Sequence, residues 1–322
     1  MHLCLGMGAH RATDNGLFMG ANVAIIGCGA VGTTTAFALL IKGVAERLLL
    51  TSRSLERAEG EAADLRHASA FVERPVDIIA GPIDVIAGAD VIVITASVRL
   101  AKTAPDRRAF FAGNCELFRT LIPRIVELAP QACLVIVSNP VDLMTYAAWR
   151  WSGFPAPRVL GTGTLIDSGR FRQLLSGRLG VHPEDIRAYI LGEHGDQQFP
   201  ALSIAVTGGE RLTADDSIRQ TFNAARESGR QVMIRKGHTN FAIALATTMI
   251  VESIVRDARR TLPVSTLLNG YEGVHNVCLS IPAIVGRGGV IRALQPALSA
   301  EEGDQLRQSA RDLRSMLDGV RW

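Results

Sequence analysis

The chain has 322 residues, 48% of them hydrophobic and 20% charged, with a formal net charge of +3. That is enough for two domains of ordinary size with a large core, and it excludes a disordered chain. The cations are spread rather than clustered, which leaves no footprint for nucleic acid or a membrane surface. The longest apolar runs are broken by glycine or charge well before the ~20 residues of a membrane span. Five cysteines, Cys4, Cys28, Cys115, Cys133 and Cys278, are odd in number and lack paired spacing, so they make neither a disulfide framework nor a metal cluster. Residues Met1–Phe18 are polar and glycine-rich without an apolar segment, unlike a signal peptide. They read as an extension outside the fold, and a reducing cytoplasm is the expected compartment.

Val23–Ile26 is an all-apolar strand that runs into Gly27-Cys28-Gly29-Ala30-Val31-Gly32, and a helical pattern follows from Thr33 to about Lys42. A GxGxxG between strand and helix is a dinucleotide fingerprint. Gly27 serves the tight turn, Gly29 lets backbone approach a pyrophosphate, and Gly32 lets helix and strand pack closely. The helix N-terminus offers free N–H groups and a positive dipole end to the phosphates. Leu48–Thr51 is the second strand. Its end, where an acidic residue would bind the ribose 2′-OH, holds Ser52, Arg53 and Ser54 instead. With no carboxylate to repel a 2′-phosphate and a guanidinium to pair with one, the chemistry favours NADP over NAD.

A helix over Glu56–Ala70, a short strand at Asp77–Ala80, strands at Asp90–Thr95 and Leu134–Val137, and a helix over Phe110–Leu128 complete an alternating pattern. That pattern means a parallel sheet with helices on both faces, binding ligands beyond the carboxyl ends of its strands. Two segments lie at such ends. Ser97–Arg108 is a polar loop with four cations, fit to clamp an anion and close over it. In Ser138-Asn139-Pro140-Val141-Asp142 the proline keeps Asn139 out of helical conformation and displays it at the strand end.

After Gly161 the pattern changes. Leu165–Leu179 is helical and carries Asp167 and Arg170 on one face. An apolar strand, Ala188–Leu191, leads to Gly192-Glu193-His194-Gly195-Asp196. A histidine between glycines at a strand end, with carboxylates close by, is a candidate proton donor near pH 7. Helices follow over Ser217 to about Lys236 and Ala242 to about Arg260. A strand at Val277–Ile281, a turn at Gly286–Gly289 and a helix over Ser299–Leu317 end the chain. No His, Cys or carboxylate set has metal-ligand spacing.

The glycine motif, the Arg107 loop, Asn139-Pro140-Val141-Asp142, Asp167 with Arg170, Glu193-His194-Gly195-Asp196 and Ser280-Ile281-Pro282 occur together in one order. In this the chain resembles the lactate/malate dehydrogenase family, over about Asn22 to Leu317. The resemblance implies a Rossmann-type doubly wound sheet over residues 19–160 and an α+β substrate domain over 161–322. It implies an NAD(P)-dependent L-2-hydroxyacid dehydrogenase that passes hydride between NADPH or NADH and a 2-oxo acid. His194 would be the acid/base, Asp167 would orient and charge-stabilise it, and Arg170 would bind the substrate carboxylate. Arg107, placed by its seven-residue step to Asn114, would polarise the carbonyl. Asn139 and Thr239 would line the substrate pocket, and Gly27, Gly29, Gly32, Ser52, Arg53, Asn114 and Asn139 the cofactor site. The family also implies a homodimer or homotetramer.

Two departures bear on specificity. One is the missing ribose carboxylate. The other is the loop, where the substrate-choosing residue lies six places before the loop arginine: Gln in lactate enzymes, Arg in malate enzymes. Counting back from Arg107 gives Ala101, whereas counting from the strand end admits Arg99, Leu100 or Lys102. Ala101 leaves no guanidinium for a second carboxylate, while Lys102 or Arg99 would restore an acidic preference. Thr239 matches lactate-type enzymes and favours a monocarboxylic or larger 2-oxo acid. An NADP-type malate dehydrogenase and a non-catalytic nucleotide-binding protein are the alternatives.

Overall fold

The structure, a computed structural model, describes residues 20–98 and 107–322, and of residues 107 and 108 the backbone only. The first half alternates strand and helix: β1 (Ala21–Ile26), α1 (Ala30–Lys42), β2 (Ala45–Thr51), α2 (Leu55–Ala68), β3 (Asp77–Ala80), β4 (Val91–Ile94), α3 (Arg107–Leu128), β5 (Cys133–Ile136), α4 (Val141–Ser152) and β6 (Val159–Gly161). The second half opens with α5 (Leu165–Leu179). Short strands follow: β7 (Ile186–Arg187), β8 (Ile190–Leu191), β9 (Phe199–Pro200), β10 (Val206–Thr207) and β11 (Glu210–Arg211). Then come α6 (Asp216–Lys236), α7 (Phe241–Val255), β12 (Arg260–Asn269), β13 (His275–Gly286), β14 (Gly289–Ala293) and α8 (Ala300–Leu317).

Among the described residues one sheet runs through both halves in the order β14-β13-β12-β6-β5-β4-β1-β2-β3. The six strands from β3 to β6 pair in parallel, and β12, β13 and β14 extend them antiparallel. β1 and β4 are neighbours although β1 leads first to β2, so the connections reverse between them, and this is where an open α/β sheet leaves a crevice for ligands. The central strands read as unbroken apolar runs because both faces are covered. Val23, Ile25, Val91, Val93 and Val135 face α1, α2 and α7. Ala24, Ile26, Ile92, Ile94 and Ile136 face α3, α4 and α8. A third, smaller core joins Phe171 and Leu175 of α5 to Ile218 and Ala225 of α6 and Ile186, Ala188 and Ile190 beside them.

The architecture is the α/β one expected from the sequence, with local differences. α1 begins at Ala30 rather than Thr33, because extended Gly29 is its N-cap and Ala30-Val31-Gly32 already form its first turn. The strand expected over Ala188–Leu191 is confined to Ile190–Leu191. α7 stops at Val255 and not near Arg260: Asp257 and Arg259 take φ of 48° and 50°, which turn the chain out of the helix and into β12. β6, β12, β14, α4 and the two-residue strands β7, β9, β10 and β11 lie in stretches that pattern alone did not mark.

The turn between β1 and α1 needs its glycines for different reasons. Gly27 has φ of 110°, open to glycine at no steric cost. A methyl group on Gly32 would stand 2.0 Å from the Gly27 carbonyl oxygen. Backbone must then move, so Gly32→Ala is expected to lower stability by ~1–3 kcal/mol. Gly29→Ala, with nothing within 4 Å of the added atom, should cost clearly less. Urea unfolding of both variants checks the contrast, and equal losses would contradict it.

Candidate active site

Three side chains expected at the site, from two separate segments, meet in the structure. Asp167 and Arg170 project from the first half of α5, and His194 lies just beyond β8. His194 Nδ1 stands 2.5 Å from Asp167 Oδ2, and Arg170 Nη1 donates to Asp167 Oδ1 at 3.0 Å. The aspartate side chain is 4% exposed, against 25% for the imidazole and 20% for the guanidinium. One buried carboxylate thus serves two cations, one oxygen each.

Hydrogen bonds that the sequence did not reveal hold this group together. Ser280 of β13 exchanges both backbone bonds with Gly192, at 3.0 and 2.9 Å, and its Oγ accepts from Thr164 N at 3.0 Å. Thr164 precedes α5, so a single buried serine sets the start of the helix carrying Asp167 against the turn carrying His194. Thr164 Oγ1 donates to the Ile190 carbonyl at 2.5 Å, and Ser168 Oγ accepts from Ile190 N at 2.9 Å. Asp142, buried in the first turn of α4, accepts the backbone N–H of His194 at 2.7 Å. It belongs to the Asn-Pro-Val-Asp segment, but no sequence periodicity relates it to a residue more than fifty places on.

These contacts set the charge states. Burial pushes His194 towards its neutral form; the Asp167 charge, its hydrogen bond and the Asp142 charge outweigh this and the opposing Arg170, and its pKa stands above the ordinary 6.5. Burial likewise pushes Asp167 up, but the charge and hydrogen bond of His194, with those of Arg170, bring it below the ordinary 3.8. The histidine's share of stability is therefore fully present below 6.5 and is lost as pH rises through its raised value. The aspartate's share is present above 3.8 and is lost as pH falls through its lowered one. Between these limits the group is an ion pair.

The remaining candidates lie at strand ends and helix starts. Gly27, Gly29 and Gly32 form the turn into α1. Gly29 carries no side-chain cap and nothing lies within 4 Å of where its Cβ would be. Open space before uncapped N–H groups at a helix start fits a phosphate-bearing dinucleotide. Ser52 is half-buried and Arg53 exposed at the end of β2, and Ser54 Oγ caps α2 by accepting from Arg57 N. Asn139 is exposed beyond β5. Asn114 is buried in α3: its Oδ1 accepts from Val98 N at 2.8 Å and its Nδ2 donates to the Asn139 carbonyl at 2.6 Å. Thr239 is half-buried in the turn between α6 and α7. The next residue, Asn240, donates to Thr34 Oγ1 of α1 at 2.8 Å. Ala101, with Arg99, Leu100 and Lys102, lies outside the described residues, as does the side chain of Arg107.

A family model described as lactate/malate dehydrogenase, NAD binding domain, matches residues 21–161, and one described as lactate/malate dehydrogenase, alpha/beta C-terminal domain, matches residues 164–321. The chain is 42% identical over 309 residues to an L-lactate dehydrogenase of Gloeobacter violaceus, covering 93% of each. It is 41% identical over 304 residues to one of Synechococcus, covering 92% of this chain and 99% of that one. The solved structure of a minor L-lactate dehydrogenase from Enterococcus mundtii, in a ligand-bound form, superposes with a TM-score of 0.90 at 32% identity, covering 94% of this chain and 99% of the other.

An NMR titration of the His194 ring is expected to give a midpoint above 6.5, and Asp167→Asn should bring it down. A wild-type midpoint at or below 6.5 would contradict the ion pair.

Proposed function

The chain belongs to the lactate/malate dehydrogenase family, and we propose that it is an L-lactate dehydrogenase-like enzyme that reduces a monocarboxylic 2-oxo acid with His194 as the proton donor. The observation that carries this reading is the His194–Asp167–Arg170 cluster, in which a proton source and a carboxylate-binding group share one buried anion. Curated relatives named L-lactate dehydrogenase, at 42% and 41% identity, support the substrate class.

In this mechanism Arg170 grips the substrate carboxylate, for which a planar guanidinium offers two parallel donors. Nδ1 of His194 is committed to Asp167, which fixes the tautomer and leaves Nε2 to deliver the proton to the carbonyl oxygen. A nicotinamide cofactor, when bound, would supply the hydride for C2. Asp167 stabilises the imidazolium before transfer, and in the reverse direction the neutral ring accepts the proton. Arg107 polarises the carbonyl oxygen, and one such donor is commonly worth ~2.7–4 kcal/mol in the transition state. Asn139 and Thr239 line the pocket, and we assign the substrate-selecting place to Ala101, which would leave no guanidinium for a second carboxylate, with Arg99, Leu100 and Lys102 as its alternatives.

Gly27, Gly29 and Gly32 would hold the pyrophosphate of the cofactor, and Ser52 and Arg53 its ribose. Asn114 acts there by bracing Asn139 and the strand end before the loop. The family's domain is an NAD-binding one. Within it we propose NADP as the preferred form for this chain, because Arg53 stands exposed where a carboxylate would exclude a 2′-phosphate. We assign residues 19–160 to the cofactor half and 161–322 to the substrate half. Phe37 and Ile41 of α1 and Phe241 and Leu245 of α7 are exposed large apolar side chains on two packed helices, which supports assembly into a homodimer or homotetramer. Described cysteines that are free and buried support a cytoplasmic setting.

A panel of pyruvate, larger 2-oxo acids and oxaloacetate against NADPH and NADH tests the reading. Pyruvate or a larger monocarboxylate should give the highest kcat/KM, NADPH should exceed NADH, and oxaloacetate should be poor. A top rank for oxaloacetate points to malate chemistry, and no turnover with retained cofactor binding points to a non-catalytic protein. His194→Gln and Arg170→Ala should each lose ~2.7–4 kcal/mol of transition-state stabilisation, or about 100- to 1000-fold in kcat/KM. Because reduction needs the charged ring, wild-type kcat/KM should fall as pH rises through a midpoint above 6.5, and lactate oxidation should rise over the same range.

A further inference from the structure

We propose that Gly229 of α6 is a positioning residue for Arg170, its missing side chain being the seat on which the guanidinium lies. The proposal rests on the reading above that Arg170 holds the substrate carboxylate.

The starting point is a glycine where helix chemistry disfavours one. α6 runs from Asp216 to Lys236, is capped at its start by the Asp215 side chain and ends on a left-handed Gly237. Gly229 stands well inside it, away from both caps. A glycine there costs ~0.5–1 kcal/mol relative to alanine. Gly229 is not among the positive-φ residues, so no backbone conformation calls for it.

The side-chain space explains it. A methyl group on Gly229 would stand 2.9 Å from Arg170 Nη1 and 3.0 Å from both Cζ and Nη2. All three atoms belong to the flat end of one guanidinium, so this group lies against the helix backbone at the place a Cβ would fill. Its other constraint is the bond from Nη1 to Asp167 Oδ1 at 3.0 Å. Asp167 and Gly229 thus hold Arg170 from two helices, α5 and α6, that pack through Phe171, Leu175, Ile218 and Ala225.

The consequence of filling the space follows from what gives way. The clashing atoms are the far end of a flexible side chain, so the fold can accept the methyl group and only the guanidinium moves. That movement takes Nη1 off Asp167 and turns the fork away from the carboxylate it is to grip. A misplacement of about 1 Å in such a group costs on the order of a hundredfold. Gly177 of α5 supplies the control: it is exposed, and nothing lies within 4 Å of its would-be Cβ.

The test is steady-state kinetics of the holoenzyme with pyruvate, or with the best monocarboxylate of the panel. Gly229→Ala is expected to raise KM tenfold or more with kcat within about threefold, while the protein stays folded with Tm near or somewhat below the wild type, the alanine's helix preference offsetting part of the weakened Arg170–Asp167 bond. Gly177→Ala should change neither constant. In an Arg170→Ala background, Gly229→Ala should cause no further loss, because the group it displaces is gone. An unchanged KM in Gly229→Ala, with Arg170→Ala still crippled, overturns the proposal and leaves the carboxylate reading standing. A loss in the Arg170→Ala background equal to that in the wild type also overturns it. If Arg170→Ala itself leaves KM unaltered, the carboxylate reading fails and the proposal with it.

Discussion

A carboxylate that is 4% exposed cannot stay ionised alone. Burying such a charge costs several kcal/mol unless geometry and hydrogen bonds compensate. Asp167 meets this constraint with one cation on each oxygen, and only one of the two is permanently charged. Arg170 is always a guanidinium, whereas His194 is a cation only when protonated. The electrostatic demand of the buried aspartate is what raises the imidazole above its ordinary pKa and favours its charged form. In the proposed mechanism, the proton that His194 would pass to a substrate is held by the same interaction that makes the carboxylate tolerable inside the protein.

Such an arrangement depends on registry between segments far apart in the chain, and the backbone supplies it. Ser280 is the meeting point, bonded to Gly192 on one side and to Thr164 on the other. It belongs to β13, and β13 belongs to the same sheet as β1, from which the glycine turn springs. The His194–Asp167 pair and the glycine turn are therefore indexed to one sheet. Asp142 adds a third tie, from the start of α4, which follows directly on the strand-end residue Asn139.

Five of the six parallel strands were legible because burial on both faces writes them as apolar runs, as in Val23–Ile26 and Leu134–Val137, whereas β6, three residues long, was not. The same simplicity hides β12, where Pro263, Ser265 and Thr266 interrupt the pattern although the segment is mostly buried. Asp167 and Arg170 could be placed on one helix face from their spacing, but that they share a partner with His194 is a tertiary fact. Asp142 and Ser280 act through a backbone amide and a side-chain hydroxyl across long separations, and neither act leaves a spacing signature. Gly229 is the reverse case: an interior helix glycine is visible in the sequence, but its reason is an arginine fifty-nine places away.

The two neighbours of Asp167 are not independent. Arg170 opposes the charged form of His194, while Asp167 and Asp142 favour it. On the proposed reading, a substrate carboxylate seated on Arg170 would bring a negative charge that cancels part of that opposition, so the ring would become more basic when the site is filled. Linkage makes the effect reciprocal: if an anion on Arg170 tightens the hold of His194 on its proton, the proton on His194 tightens the hold of Arg170 on the anion by the same factor. The enzyme would therefore bind a 2-oxo acid best in the protonation state that can reduce it. The product alcohol, carrying the same carboxylate, would be held less well once the proton has been spent. Directionality of this kind needs no moving part, only a buried carboxylate with a fixed and a titrating cation on its two oxygens.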